Sequence, residues 1–122
     1  MPTATPLEND PQQTITINLV GQSPHVFVYR FWKKEPTDAK FVVIKDGDTV
    51  DAIPDSFTVG PFPDATRIAY WVAIASNKPQ SAYRFSVIFV QGGSVPAGGD
   101  QIHNGTTSSD GGAVVEHETL LV

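Results

Sequence analysis

Two nine-residue segments, Arg67–Ala75 and Ala82–Val90, constrain this chain more than any other feature. In the first, Ile68, Tyr70, Val72 and Ile74 occupy alternate positions with Ala69, Trp71, Ala73 and Ala75 between them. In the second, Tyr83, Phe85, Val87 and Phe89 alternate with Arg84, Ser86, Ile88 and Val90. Bulky residues at a period of two put one wide apolar stripe on a strand, and two such stripes need a shared core. The polar stretch between them, which contains Lys78-Pro79, is a turn.

The rest of the chain reads in the same way. Thr14–Val20 alternates Ile15, Ile17 and Leu19 with Thr16 and Asn18, the pattern of a half-buried strand. His25–Lys34 carries apolar or aromatic residues on both faces, with Val26, Val28 and Trp32 opposite Phe27, Tyr29 and Phe31, which predicts a strand covered on both sides. After a turn through Lys33–Asp38, Phe41–Lys45 is β-rich and runs into Asp46-Gly47. That dipeptide predicts a tight hairpin turn, with Asp48–Ala52 as the returning strand. Ser56–Val59, bounded by prolines, predicts an edge strand. Residues 1–13 are polar and aperiodic and predict a flexible N-terminal arm. Seven of the twenty-two residues in Gln91–Gly112 are glycine. Such a span is a functional loop, a poorly ordered one, or a loop hiding a short irregular strand near Gln101–His103. Ala113–Val122 ends the chain as a docked strand. No segment has a helical period. The expectation is therefore all-β: an antiparallel β-sandwich of about seven or eight strands over residues 14–122, of immunoglobulin-like or jelly-roll topology.

Composition excludes several classes of chemistry. With no cysteine there is no disulfide, thiolate metal site or cysteine nucleophile. A net charge of −5 argues against nucleic acid or an anionic membrane surface as the main partner. All Lys and Arg fall between Arg30 and Arg84, so the two ends of the chain would form an acidic edge if they met in space. Residues 1–13 hold no signal sequence and no stretch is apolar enough for a membrane helix, so a cytoplasmic protein, or a mature or leaderless exported one, is expected, without membrane insertion.

Candidate chemical groups are few. Asp46, Asp48, Asp51 and Asp55 have the density of a calcium site but not the loop pattern of one, and a solvated hairpin explains them. His25, His103 and His117 lack zinc-ligand spacing, and Glu116 and Glu118 point to the strand face opposite His117. No Gly-x-Ser-x-Gly elbow is present, and no Gly-Lys-Ser/Thr follows the paired glycines Gly92-Gly93 and Gly98-Gly99. Asn104-Gly105-Thr106 matches a glycosylation sequon but is read as chance. No enzyme, cofactor or metal is expected.

The aromatic residues are more informative. Trp71 stands on an alanine-rich face and Trp32 ends a strand beside Lys33 and Lys34. The small neighbours either make room for Trp71 to pack under a second layer or the long loop, or leave its ring as a platform for a ligand or a second subunit. The resulting expectation is a lectin-like, non-enzymatic binding module for a small polar ligand such as a saccharide. Its ligand-binding residues would be Trp71 and Trp32, with Asp100, His103 and Asn104 from the long loop. The alternative is a structural protein forming homo-oligomers through its sheet faces and N-terminal arm.

Overall fold

A computed structural model of the chain describes residues 4–21, 26–48, 55–76 and 78–122. They form nine strands in two sheets: β1 (Thr5–Leu7), β2 (Ile15–Gly21), β3 (Val26–Lys34), β4 (Val42–Asp48), β5 (Asp55–Val59), β6 (Arg67–Ala75), β7 (Ala82–Val90), β8 (Asp100–Thr106) and β9 (Gly112–Leu121). One sheet has the order β1-β9-β6-β3-β4 and the other β5-β2-β7-β8. All pairings are antiparallel except β1 with β9, which is parallel. The protein is an all-β sandwich.

The apolar stripes of the sequence meet between the sheets. Phe27, Tyr29 and Phe31 of β3 and Ile68, Tyr70, Val72 and Ile74 of β6 face Ile15, Ile17 and Leu19 of β2 and Phe85, Val87 and Phe89 of β7, all essentially excluded from solvent. Phe31 packs edge-on against Phe57 of β5 and tilted against Tyr70. Burying one such side chain contributes about 1.5–3 kcal/mol, so this shared layer dominates the stability of the fold.

Three elements differ from the sequence expectation. First, only one face of β3 is covered. Phe27, Tyr29 and Phe31 are buried, whereas Val28 is 43% exposed and Trp32 partly so, because among the described residues no second layer lies over the outside of the five-stranded sheet.

Second, Asp46-Gly47 is not a turn. β4 runs straight through it, with Gly47 opposite Tyr29 on β3. A Cβ at Gly47 would overlap the Tyr29 hydroxyl, which crosses this position to donate to Asp55 on β5. Gly47 is there to let a tyrosine pass, a use of glycine in strands that mimics turn chemistry in sequence. All but Asp48 of the expected return strand, Asp48–Ala52, lies outside the described residues.

Third, Thr5–Leu7, within the segment whose composition predicts no regular structure, forms β1. Leu7 is buried, and its carbonyl accepts from Val122 N–H at 2.9 Å. Pro6 is tolerated because β1 is an edge strand. The Gln91 side chain then holds the following residues: its Oε1 accepts from Asp10 N–H, and its Nε2 donates to Asn9 Oδ1 and to the carbonyls of Asp10 and Gln13.

The Gln91–Gly112 span holds the hidden strand that was one of its three readings. It is longer than expected, since β8 covers Asp100–Thr106 and pairs with β7 along its whole length.

Candidate functional site

The register of the five-stranded sheet decides which side chains share its outer face. Arg30 of β3 lies between Asp46 of β4 and Trp71 of β6, with Glu116 of β9 beyond. Two residues along, Trp32 lies between Val43 and Ala69, with Glu118 beyond. Two residues the other way, Val28 lies between Asp48 and Ala73, with Val114 beyond. Trp32 and Trp71 are therefore diagonal neighbours on one face, at a Cα separation of about 7–8 Å that large side chains span. Ala69 and Ala73 leave room on either side of Trp71. Both indoles are partly exposed, and among the described residues neither indole N–H finds a protein acceptor.

Two depressions flank the pair. One, of about 610 Å³, is bordered by Trp32 and Trp71 together with Val28, Arg30, Asp46 and Asp48. The other, of about 250 Å³, lies between the indoles, Phe41 and the carboxylates Glu116 and Glu118. Polar groups on this face are held in place by ion pairs across strands: Arg30 Nε donates to Asp46 Oδ1 at 2.5 Å, and Arg67 to Glu118 Oε1 at 2.8 Å. Below the first depression Tyr29 donates to Asp55. Burial, then the Asp55 and Asp48 carboxylates, push its hydroxyl far above the usual tyrosine range, so it stays protonated.

Of the five residues expected to bind a ligand, the structure brings Trp32 and Trp71 together and places the other three on β8, in the opposite sheet. Asp100 and Asn104 face outward there, with Asn104 opposite Arg84 and Asp100 opposite Ile88. His103 points inward, stacked on Phe85. The reason is the strand hidden in the glycine-rich span: its alternation separates His103 from its two neighbours and carries all three away from the tryptophans. Lys33, beside Trp32 in sequence, points to the opposite face, where it ion-pairs with Glu35 and Asp38 at 2.5 and 2.7 Å and closes the β3–β4 connection. Those contacts raise the pKa of Lys33 and lower that of Asp38. The long span does not cover Trp71 either. Its first half lies against the N-terminal segment, where Ala97 C=O accepts from Glu8 N–H.

In the acidic stretch, Asp46 is engaged by Arg30 and Asp55 by Tyr29, while Asp51 lies outside the described residues. So does His25. His103 and His117 do meet, inside the sandwich, with ring centroids 5.3 Å apart. Glu116 points to the other face of β9, as alternation requires, and so does Glu118.

Arg30, Asp46 and Glu116 belong to the outer face but are not among the five residues expected to bind a ligand; Asp46 and Glu116 enter the sequence reading only as metal candidates that it sets aside. Period two puts Arg30 on the Trp32 face of β3, which is readable; that β3 lies beside β6, and so Arg30 beside Trp71, is not. Compared with protein-family models, with curated proteins and with solved structures, the chain matches none.

Proposed function

We propose that this domain is a binding module that holds a saccharide on the outer face of its five-stranded sheet. The observation that carries the reading is the pair Trp32 and Trp71, side by side on a solvent-facing sheet surface. An indole face offers the apolar C–H side of a sugar ring a flat surface of matching size. Around it, the Arg30 guanidinium, the Asp46, Asp48 and Glu116 carboxylates and two indole N–H groups supply donors and acceptors for hydroxyls. Arg30 and Asp46 are already paired with each other before a ligand arrives, which lowers the ordering cost of binding at those two side chains. A shallow open groove buries only part of its ligand, so affinities between about 1 μM and 1 mM, roughly −8 to −4 kcal/mol, are expected. The test is a broad glycan array followed by calorimetric titration of the hits. Saturable binding that is weakened at least tenfold in Trp71→Ala supports the reading; no saturable binding, or an unchanged affinity in the variant, defeats it.

A second reading has its own observation. Val28, Val43 and Val114, at 43%, 46% and 57% exposure, extend the indole surface with aliphatic area that a sugar does not need. A second copy of the chain docked face to face would cover it. Light scattering behind size exclusion separates the two, since a monomer across a hundredfold concentration range removes the second reading.

A further inference from the structure

We infer that His103 and His117 form a pH-sensitive clasp, which keeps β1 docked on the five-stranded sheet at neutral pH and releases it in acid. The two rings meet edge to face across the seam where β8 of one sheet meets β9 of the other, with centroids 5.3 Å apart. His117 Nε2 contacts Thr5 Oγ1 of β1 at 2.8 Å, and His103 Nε2 contacts the Tyr70 hydroxyl at 2.7 Å. Tyr70 has one proton and donates it to Gln101 Oε1 at 2.7 Å, so it accepts from His103, whose neutral form carries its proton on Nε2. Gln101 is anchored in turn, donating to Thr119 Oγ1 and to Gly98 C=O. Both Nε2 contacts are to hydroxyl oxygens and suit a ring in either protonation state, so it is the closeness of the two rings in a partly buried seam that opposes a double charge.

Few charged groups oppose or support the pair. Facing it are Tyr70 from β6, held neutral by burial, the Phe85 ring of β7 with Tyr83 stacked beyond it, and the neutral Thr5, Gln101 and Thr119 from β1, β8 and β9. Glu116 and Glu118 lie on the other face of β9, with Glu118 held by Arg67, and Arg84 and Asp100 lie on the outer face of the other sheet. Burial lowers the pKa of both histidines below 6.5. The charge of His117 lowers His103 further, and the pull of Glu118 offsets only part of the effect at His117.

For a group that the folded state holds neutral, the stabilisation is complete above its unfolded pKa and declines as pH falls below it, here below 6.5. The Thr5 contact itself survives protonation, because a hydroxyl can accept from an imidazolium. What does not survive is two like charges sharing a partly buried seam: water must enter. The shortest element in contact with the pair is β1, three residues long, at a sheet edge and, among the described residues, paired only with β9.

The test is amide hydrogen exchange of the full chain at pH 7.5 and 5.0, corrected for intrinsic rates. The reporters are Glu8, Asn9 and Val122, whose N–H groups bond Ala97, Val122 and Leu7 carbonyls when β1 is docked. Their protection is expected to fall at least tenfold in acid relative to Ile17 and Val87 of the core, and less than twofold in the double variant His103→Gln, His117→Gln. Retained protection in the wild type, or an equal fall in the variant, overturns the inference. Should the double variant not fold, NMR titration of the wild-type rings decides: pKa values at or above 6.5 overturn it, and lower values whose midpoint tracks the loss of protection at Val122 support it.

Discussion

The two outer faces of the sandwich cover the same kind of core and are made of different residues. On the four-stranded sheet the outer positions include Thr16, Asn18, Ser56, Thr58, Arg84 and Ser86, with Val20, Ile88 and Ile102 interspersed. Thr16 and Thr58 share a hydrogen bond across strands at 3.1 Å. This is the ordinary half-solvated antiparallel sheet, apolar inside and polar outside. On the five-stranded sheet the corresponding positions hold both tryptophans, three valines and two cross-strand ion pairs. The core beneath is closed without either indole. Concentrating aromatic area on one outer face is therefore not a demand of folding, and this is the physical ground for seeking a ligand there and not on the other face.

The largest test of the contrast lies just under the surface. Gly47 and Gly105 each stand opposite a tyrosine on the neighbouring strand, Tyr29 and Tyr83. Tyr29 is buried and its hydroxyl bonds Asp55, so a methyl group at Gly47 can be accommodated only by displacing a packed ring and disturbing that hydrogen bond. Gly47→Ala should cost about 2 kcal/mol, in the range of overpacking. Tyr83 is half-buried and can swing outward, and alanine regains up to about 1 kcal/mol over glycine in a strand, so Gly105→Ala should change stability by less than about 1 kcal/mol. Urea midpoints at unchanged slope measure both. Equal losses would mean that the support beneath the two faces is the same.

Binding is the next contrast. If the five-stranded face is the ligand face, Trp71→Ala weakens saccharide binding tenfold or more, about 1.4 kcal/mol, while Ile102→Ala on the other sheet leaves it within twofold. Calorimetric titration of the two variants with the same array hit measures this. Loss of affinity in Ile102→Ala alone would move the site to β8, beside Asp100 and Asn104.

How much of this was readable in advance follows from how local each signal is. β6 and β7 end where alternation ends, because their large residues are large at every inward position. β8 was harder to see: its inward residues are Gln101, His103 and Gly105, so the apolar stripe that announces a strand is replaced by a buried polar network with Tyr70 and Thr119. Asp46-Gly47 misled because the dipeptide's local preference was overruled from the other strand by Tyr29, a tertiary contact that no window of sequence contains. β1 is too short to show a period. The tryptophan pair was half legible, since period two gives each indole its strand face. The neighbourhood of β3 and β6, separated in the chain by β4 and β5, comes only from the strand order.

The smallest effects concern the ion pairs that frame the tryptophans. The side chains of Arg30 and Asp46 are 50% and 58% exposed, so their attraction is screened by water and salt, and a double-mutant cycle should return no more than about 0.5 kcal/mol, vanishing in 1 M NaCl. Glu118 differs: its side chain is only 10% exposed, and Arg67 is its ion-pair partner. Removing Arg67 leaves a nearly buried carboxylate unpaired, so Arg67→Ala should cost more than Arg30→Ala by roughly 1 kcal/mol or more. Part of that loss should return in Arg67→Ala, Glu118→Gln, where the carboxylate is neutralised as well. If the two arginine variants lose the same stability, Glu118 is better hydrated than its position on β9 opposite Ala69 of β6 implies, and the indole platform has a wetter border on that side than the burial of Glu118 suggests.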